Sequence, residues 1–276
     1  MQAEAASALG AERSSVVAAL RNAAAATGSD FHYLLGTAMR ESSLKPGAQS
    51  STSSATGLFQ FVDQTWLGLI KSHGAKYGLA SMADAIQVGG DGHYRAASGS
   101  DRQAILELRK NPQISALMAG EYSKASAATM QASLGRAVCG GELYAAHFLG
   151  PDAACKLIRS NEHQPGASAA ALLPNAAAAN KSVFFHADGS AKSVHEVYGW
   201  AMQQPGASAP VRSIEPQAAV FTATSASSAN IQDLLADVMN WQPSGNFFSP
   251  DQSSSGEGPT SRLMLTPGLL DILSKS

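Results

Sequence analysis

From Gln2 to Trp200 the apolar residues of this chain recur at helical spacing, and Gly, Pro, Asn and Asp cut that pattern into short segments. Residues 2–26 are Ala-rich with Val16, Val17 and Leu20 at helical positions, and predict one helix. Thr27-Gly28-Ser29-Asp30 stops it and supplies an N-cap for the next, which carries Phe31, Leu34, Leu35, Ala38 and Met39 until Pro46 forbids continuation. A third helix is expected to open at Asp63 as N-cap, run through Trp66, Leu67, Leu69 and Ile70, and end near Gly74. Residues 101–131 predict one or two helices broken at Asn111-Pro112. Glu142 to Phe148 and Pro151 to Ile158 form a helix pair around Gly150. Residues 167–204 read as a helix, a short Ser182–Phe185 piece, an Asp188-Gly189 turn and a last helix through Trp200. No β-alternation is sustained, so the expected fold class is mainly α.

After about residue 205 the composition shifts to Pro, Ser, Ala and Gly, as in a linker or disordered tail, so that residues 1–205 and 206–276 are expected to be separate units. Two amphipathic pieces interrupt the tail, residues 230–241 and 266–273. Either they dock back on the protein or they are partner-binding helices.

The chain of 276 residues is 45% hydrophobic, enough to bury at least one sizeable core. Only 14% of residues are charged and the net charge is -2, which argues against nucleic acid or an anionic membrane as partner. No apolar run reaches the roughly 18 residues needed to span a bilayer. No secretory signal is visible at Met1–Ser7: a leader is missing from the sequence, export uses another route, or the protein stays inside. Cys139 and Cys155 either bridge in an oxidising compartment or fill small core positions as thiols. His32, His73, His163, His186 and His195 have no metal spacing with either cysteine, so neither metal nor cofactor is expected. Gly89-Gly90-Asp91-Gly92-His93 lacks the Lys-Ser/Thr of a phosphate loop and the spaced acids of a calcium loop, and reads as a flexible loop bordering a cleft.

The chemistry concentrates between Glu41 and Gln60. A single Glu near a helix end is ordinarily a solvated surface residue. Glu41, however, follows Leu35, Ala38 and Met39, and the loop after it is uncharged between Lys45 and Asp63. Apolar surroundings and a helix C-terminus both disfavour a carboxylate, leaving an acid still protonated near neutrality and able to protonate a glycosidic oxygen. Gly57 can take backbone angles closed to other residues and let a polymer approach the main chain; a plain turn would also explain it, but not the polar Gln60 between Phe59 and Phe61. Asp63, Asp84 and Asp91 are the other acids to weigh as a second carboxylate, Asp63 being better explained as a cap.

Glu41-Ser42 with Pro46, then Ser50, then Gly57-Leu58-Phe59-Gln60, then Tyr144, resembles the ordered motifs of the lysozyme-like soluble lytic transglycosylases (SLT domain). The resemblance covers about residues 10–160, and residues 169–198 resemble an extension found in some members. It departs in a loop one residue longer, in Phe59 where methionine is usual, and in Ala145 where the family has a sugar-contacting asparagine; His147, one turn along, is the candidate replacement, or a helix-surface or capped histidine. The resemblance implies a lysozyme-like helical domain of goose-type architecture that cleaves the β-1,4 bond between N-acetylmuramic acid and N-acetylglucosamine in peptidoglycan, leaving 1,6-anhydro ends. It implies Glu41 as the single acid and base, Tyr144 as its hydroxyl partner, and Ser50, Gly57, Leu58, Phe59, Gln60 and His147 at the glycan. Such an enzyme works in the periplasm or outside the cell. The alternatives are a hydrolytic muramidase of the same fold and a non-catalytic glycan-binding component of a wall-spanning assembly, to which the tail would attach.

Overall fold

The computed structural model describes residues 2–51 and 53–204. The tail segments 230–241 and 266–273 lie outside the described residues.

Helix α1 (Gln2–Thr27) ends at Gly28, whose φ of 77° only a glycine takes without strain. Asp30 then caps α2 (Phe31–Ser42) by accepting from the Tyr33 N–H at 2.8 Å. These boundaries follow the sequence signals. The start of α3 (Asp63–His73) does not: Val62 is its N-cap and Asp63 its first residue. The Asp63 carboxylate turns sideways to Arg109 Nη1 at 2.9 Å and to Arg102, so two guanidinium groups satisfy it in place of the helix N–H groups.

A 3-10 turn (Gly74–Tyr77) and α4 (Ala80–Asp84) lead into strands β1 (Ile86–Val88) and β2 (Tyr94–Ala96), paired antiparallel with Gln87 opposite Arg95. Three residues per strand are too few to show an alternating pattern, which is why the sequence reading found no β-structure. The Gly89–His93 stretch, expected as a loose loop, is the turn of this hairpin, closed by the Gly89 N–H on the His93 carbonyl at 2.9 Å. Its Asp91 pairs with Arg95 at the surface.

Helix α5 (Gly99–Glu107) follows, and α6 (Pro112–Leu134) begins where Asn111 caps it and Pro112 takes the first turn. Then come α7 (Gly140–Leu149) and α8 (Pro151–His163). The main core joins Leu20, Leu34, Leu35, Phe59, Phe61, Trp66, Ile70, Met118, Leu143 and Tyr144, so α2, α3, α6 and α7 meet around one apolar centre.

The remaining elements are α9 (Ala169–Leu172), α10 (Pro174–Ala179), α11 (Lys181–Phe184) and α12 (Val194–Met202). They build a second, smaller cluster with Phe148 and Leu157 around Phe184, Val194 and Val197. Tyr198 and Trp200 of α12 pack against both clusters, which fastens the extension to the main core. Cys139 and Cys155 are free thiols, Cys155 in the core and Cys139 capping α7 beside Met202. Among the described residues no helix is long and apolar enough to cross a membrane.

Arg109 holds the long connection between α2 and α3 in place. Its buried guanidinium donates to the carbonyls of Ser54 at 2.7 Å and Phe61 at 2.9 Å besides meeting Asp63. Arg109→Met strands those groups and is expected to lower unfolding free energy by about 2–3 kcal/mol, towards the small end for a buried pair because Arg102 still faces Asp63. Arg95→Met, which breaks only an exposed pair, is expected to leave the urea midpoint unchanged.

Candidate active site

Glu41 sits one residue from the end of α2 and is only 7% exposed. Two features hold this helix end. The Ser42 hydroxyl lies 2.9 Å from the Ala38 carbonyl and 3.0 Å from the Leu58 carbonyl, tying α2 to the loop ahead of α3. The chain then leaves through Ser43 (φ 53°) and Leu44 (φ 62°), both left-handed. With Gln60 (φ 49°) these are the non-glycine residues of positive φ among those described, and all three lie in this one connection. Left-handed backbone costs an ordinary residue about 1 kcal/mol or more, so packing on either side must hold the turn.

The connection itself is ordered. Gln49 and Phe61 each bridge to Thr56, the Gly57 N–H donates to the Ala48 carbonyl at 2.8 Å, and the Gln60 side-chain amide donates to the Gly57 carbonyl at 2.9 Å. Gly57 has φ 86°, and a Cβ there would overlap the Arg109 carbonyl oxygen. The close approach that requires glycine is thus met by the protein's own backbone. Leu58 and Phe59, expected at the glycan, are buried as whole residues, with their side chains in the core and the Leu58 carbonyl taken by the Ser42 hydroxyl. Gln60 is likewise buried and turned inward. Ser50 is half-buried on the same loop, its N–H bonded to the Ala55 carbonyl.

Helix α7 brings Tyr144 across from the far end of the chain, and its hydroxyl donates to Glu41 Oε1 at 3.2 Å. Of the residues the sequence singles out, these two meet directly. Glu41 Oε2 is buried and has no hydrogen-bond partner among the described residues. Burial pushes the Glu41 carboxyl up from 4.5 to about 8, against the smaller opposing effects of the Arg40 charge and the Tyr144 hydrogen bond. Tyr144 is itself raised well above the usual phenol range, chiefly by burial, and keeps its proton.

His147 faces a different setting from the one expected for a sugar contact. It is 3% exposed, stacked on Tyr144 with centroids 6.2 Å apart, and edge-on to Phe61 and Tyr122. Burial lowers it to about 4, so it is a neutral wall behind Tyr144. Ala145 is buried, and no polar side chain stands at its position.

Sequence reasoning missed Arg40 and Trp200. Arg40 Nε donates to the Tyr144 hydroxyl at 3.2 Å, and its guanidinium lies over the rings of Tyr144 and Trp200. Neighbours along a helix point to different sides, so adjacency to Glu41 carried no signal; a cation beside the candidate acid was the available hint. Of the other acids weighed, Asp63 pairs with Arg109 and Asp91 with Arg95, while Asp84 ends α4. Among the described residues no group of three or more His, Cys, Asp and Glu side chains could hold a metal ion.

Residues 18–89 match the family model of the transglycosylase SLT domain. The segment from the second half of α1 through α2, Glu41 and the Gly57–Gln60 turn to the start of the hairpin therefore belongs to the SLT family, whose domain is lysozyme-like. Tyr144 lies beyond the matched residues and comes to Glu41 through the fold. The match carries with it a transglycosylase-type action on peptidoglycan in general terms.

The raised carboxyl has a thermodynamic consequence. Unfolded, Glu41 ionises above about 4.5, whereas the folded protein keeps the proton until about 8. The native state therefore binds the extra proton in that window, and stability falls as pH rises through it. Glu41→Gln is expected to be more stable than the parent above pH 8, by a few kcal/mol at most, with the gap shrinking towards pH 4.5 and constant below it. Urea denaturation at acidic, neutral and alkaline pH checks this; a gap independent of pH overturns it.

Proposed function

We propose that this protein is a peptidoglycan lytic transglycosylase that cleaves the N-acetylmuramic acid–β-1,4–N-acetylglucosamine bond with Glu41 as its single acid and base. The observation that carries the reading is a buried carboxyl, raised to about 8, with a tyrosine hydroxyl on one oxygen and no partner among the described residues on the other. Most glycosidases need two carboxylates, one to protonate the leaving oxygen and one to attack or to activate water. Arg40 is the charge that most affects Glu41, and among the described residues no second acid appears among the causes of its shift. Glu41 gives its proton to the glycosidic oxygen as the bond breaks. The resulting carboxylate, steadied by the Tyr144 hydroxyl, takes a proton from the C6 hydroxyl of the same muramic acid residue, which closes on C1 as the 1,6-anhydro ring. The substrate's N-acetyl group stands in for a second carboxylate between these steps. Glu41 ends protonated and no water is consumed.

Ser50, half-buried on the loop ahead of α3, is the contact this reading assigns to the glycan, while Gly57, Leu58, Phe59 and Gln60 shape the loop that carries it. In this reading residues 1–205 work as one lysozyme-like unit in the periplasm or outside the cell, and residues 206–276 attach it to a wall-spanning assembly.

Digestion of purified cell-wall glycan followed by mass spectrometry tests the reaction. Anhydro ends are expected to accumulate without new reducing ends; reducing ends alone identify a hydrolytic muramidase instead. Glu41→Gln is expected to lose at least about a thousandfold in rate while remaining folded, and retained activity removes the assigned acid. The acid must start protonated, so kcat/KM is expected to be flat near neutrality and to fall above about pH 8.

A further inference from the structure

The two carboxyl oxygens of Glu41 are in different surroundings, Oε1 beside the Tyr144 hydroxyl and Oε2 buried without a partner among the described residues. Arg40 reaches back from α2 to α7, its Nε 3.2 Å from the Tyr144 hydroxyl. Its guanidinium carbon lies 5.8 Å from the Tyr144 ring centroid and 5.7 Å from that of Trp200. Trp200 also packs on Tyr144 itself at 5.7 Å, and on Phe148 at 4.8 Å, so α12 fixes both partners.

An arginine side chain has donors and no acceptor, while a tyrosine hydroxyl has one hydrogen. With Arg40 donating to it, the Tyr144 oxygen accepts from that side, and its single hydrogen turns to Glu41 Oε1 at 3.2 Å. A neutral carboxyl that accepts on Oε1 presents its carbonyl there and keeps its proton on the other oxygen. That other oxygen, Oε2, is the buried atom with no partner among the described residues. We propose that Arg40 is a positioning residue that, by donating to Tyr144, orients the tyrosine hydrogen onto Oε1 and so holds the acid proton of Glu41 on Oε2.

This rests on Glu41 being the acid. It assigns Arg40 a task distinct from a direct charge effect on Glu41 and from a grip on substrate, both of which an exposed arginine beside the acid could also perform. The distinction lies in what replaces it. Lysine, again only a donor, preserves the direction of the tyrosine hydrogen. Glutamine offers a carbonyl that accepts that hydrogen and turns it away from Oε1.

The test compares Arg40→Lys and Arg40→Gln, each in the parent and in Tyr144→Phe, by initial rates on soluble peptidoglycan strands. Arg40→Gln is expected to lower kcat about tenfold with KM within about twofold and an unchanged melting temperature, while Arg40→Lys keeps kcat within about threefold. In Tyr144→Phe neither substitution is expected to change kcat further, because the residue it acts through is gone. Equal losses for Lys and Gln, a loss carried by KM, or the same tenfold drop for Arg40→Gln in Tyr144→Phe overturns the proposal. Infrared spectroscopy gives a readout independent of turnover. The protonated-carboxyl stretch assigned to Glu41 by difference against Glu41→Gln is expected to move to higher frequency in Arg40→Gln, as Oε1 loses its donor, and to stay in Arg40→Lys. An unmoved band in Arg40→Gln overturns the proposal too. Retained activity in Glu41→Gln is a separate failure, that of the acid assignment itself.

Discussion

A carboxylic acid held dry at the end of α2 is the constraint on which the rest of this molecule depends. Water would lower the pKa of Glu41 to that of any surface glutamate and leave it ionised at neutral pH. Keeping water away takes more than the helix that carries it. Helix α7 brings Tyr144 to the acid with His147 stacked behind it, Ser42 ties the loop ahead of α3 to the same helix end, and α12 backs the tyrosine with Trp200. Elements from distant parts of the chain thus converge on the end of α2.

The loop that helps to close the site is held against its own preferences. Ser43, Leu44 and Gln60 sit in left-handed backbone, and Gly57 fits against Arg109 only because it has no side chain. Arg109 supplies the opposing force, with hydrogen bonds to both ends of the turn and an ion pair to the first residue of α3. Strain near the acid and a buried clamp behind it belong to one arrangement, since neither residue class would persist without the other.

Much of this was legible in the residues. The helix stop at Gly28, the cap at Asp30 and the break at Asn111-Pro112 are local effects, and local effects survive in sequence, whereas α2 ends at left-handed Ser43, ahead of the expected stop at Pro46. The motif around Glu41 and the later Tyr144 were readable as an ordered set. What was not readable depends on through-space partners. Asp63 looks like a cap until Arg102 and Arg109 arrive from another helix. Gly57 looks open to a polymer until the Arg109 carbonyl fills the space beside it. His147 looks available one turn past Tyr144, but Phe61 and Tyr122 enclose it. The strands at 86–88 and 94–96 are simply too short to announce themselves.

Trp200 belongs to the last helix described, yet it touches the tyrosine that touches the acid. A ribosome releases the amino end of a chain first, so α2 and its glutamate are complete long before that indole exists. Until then Tyr144 and Arg40 lack the ring that both lean on. The order of synthesis thus leaves the surroundings of Glu41 incomplete until the last described helix exists to dock against them.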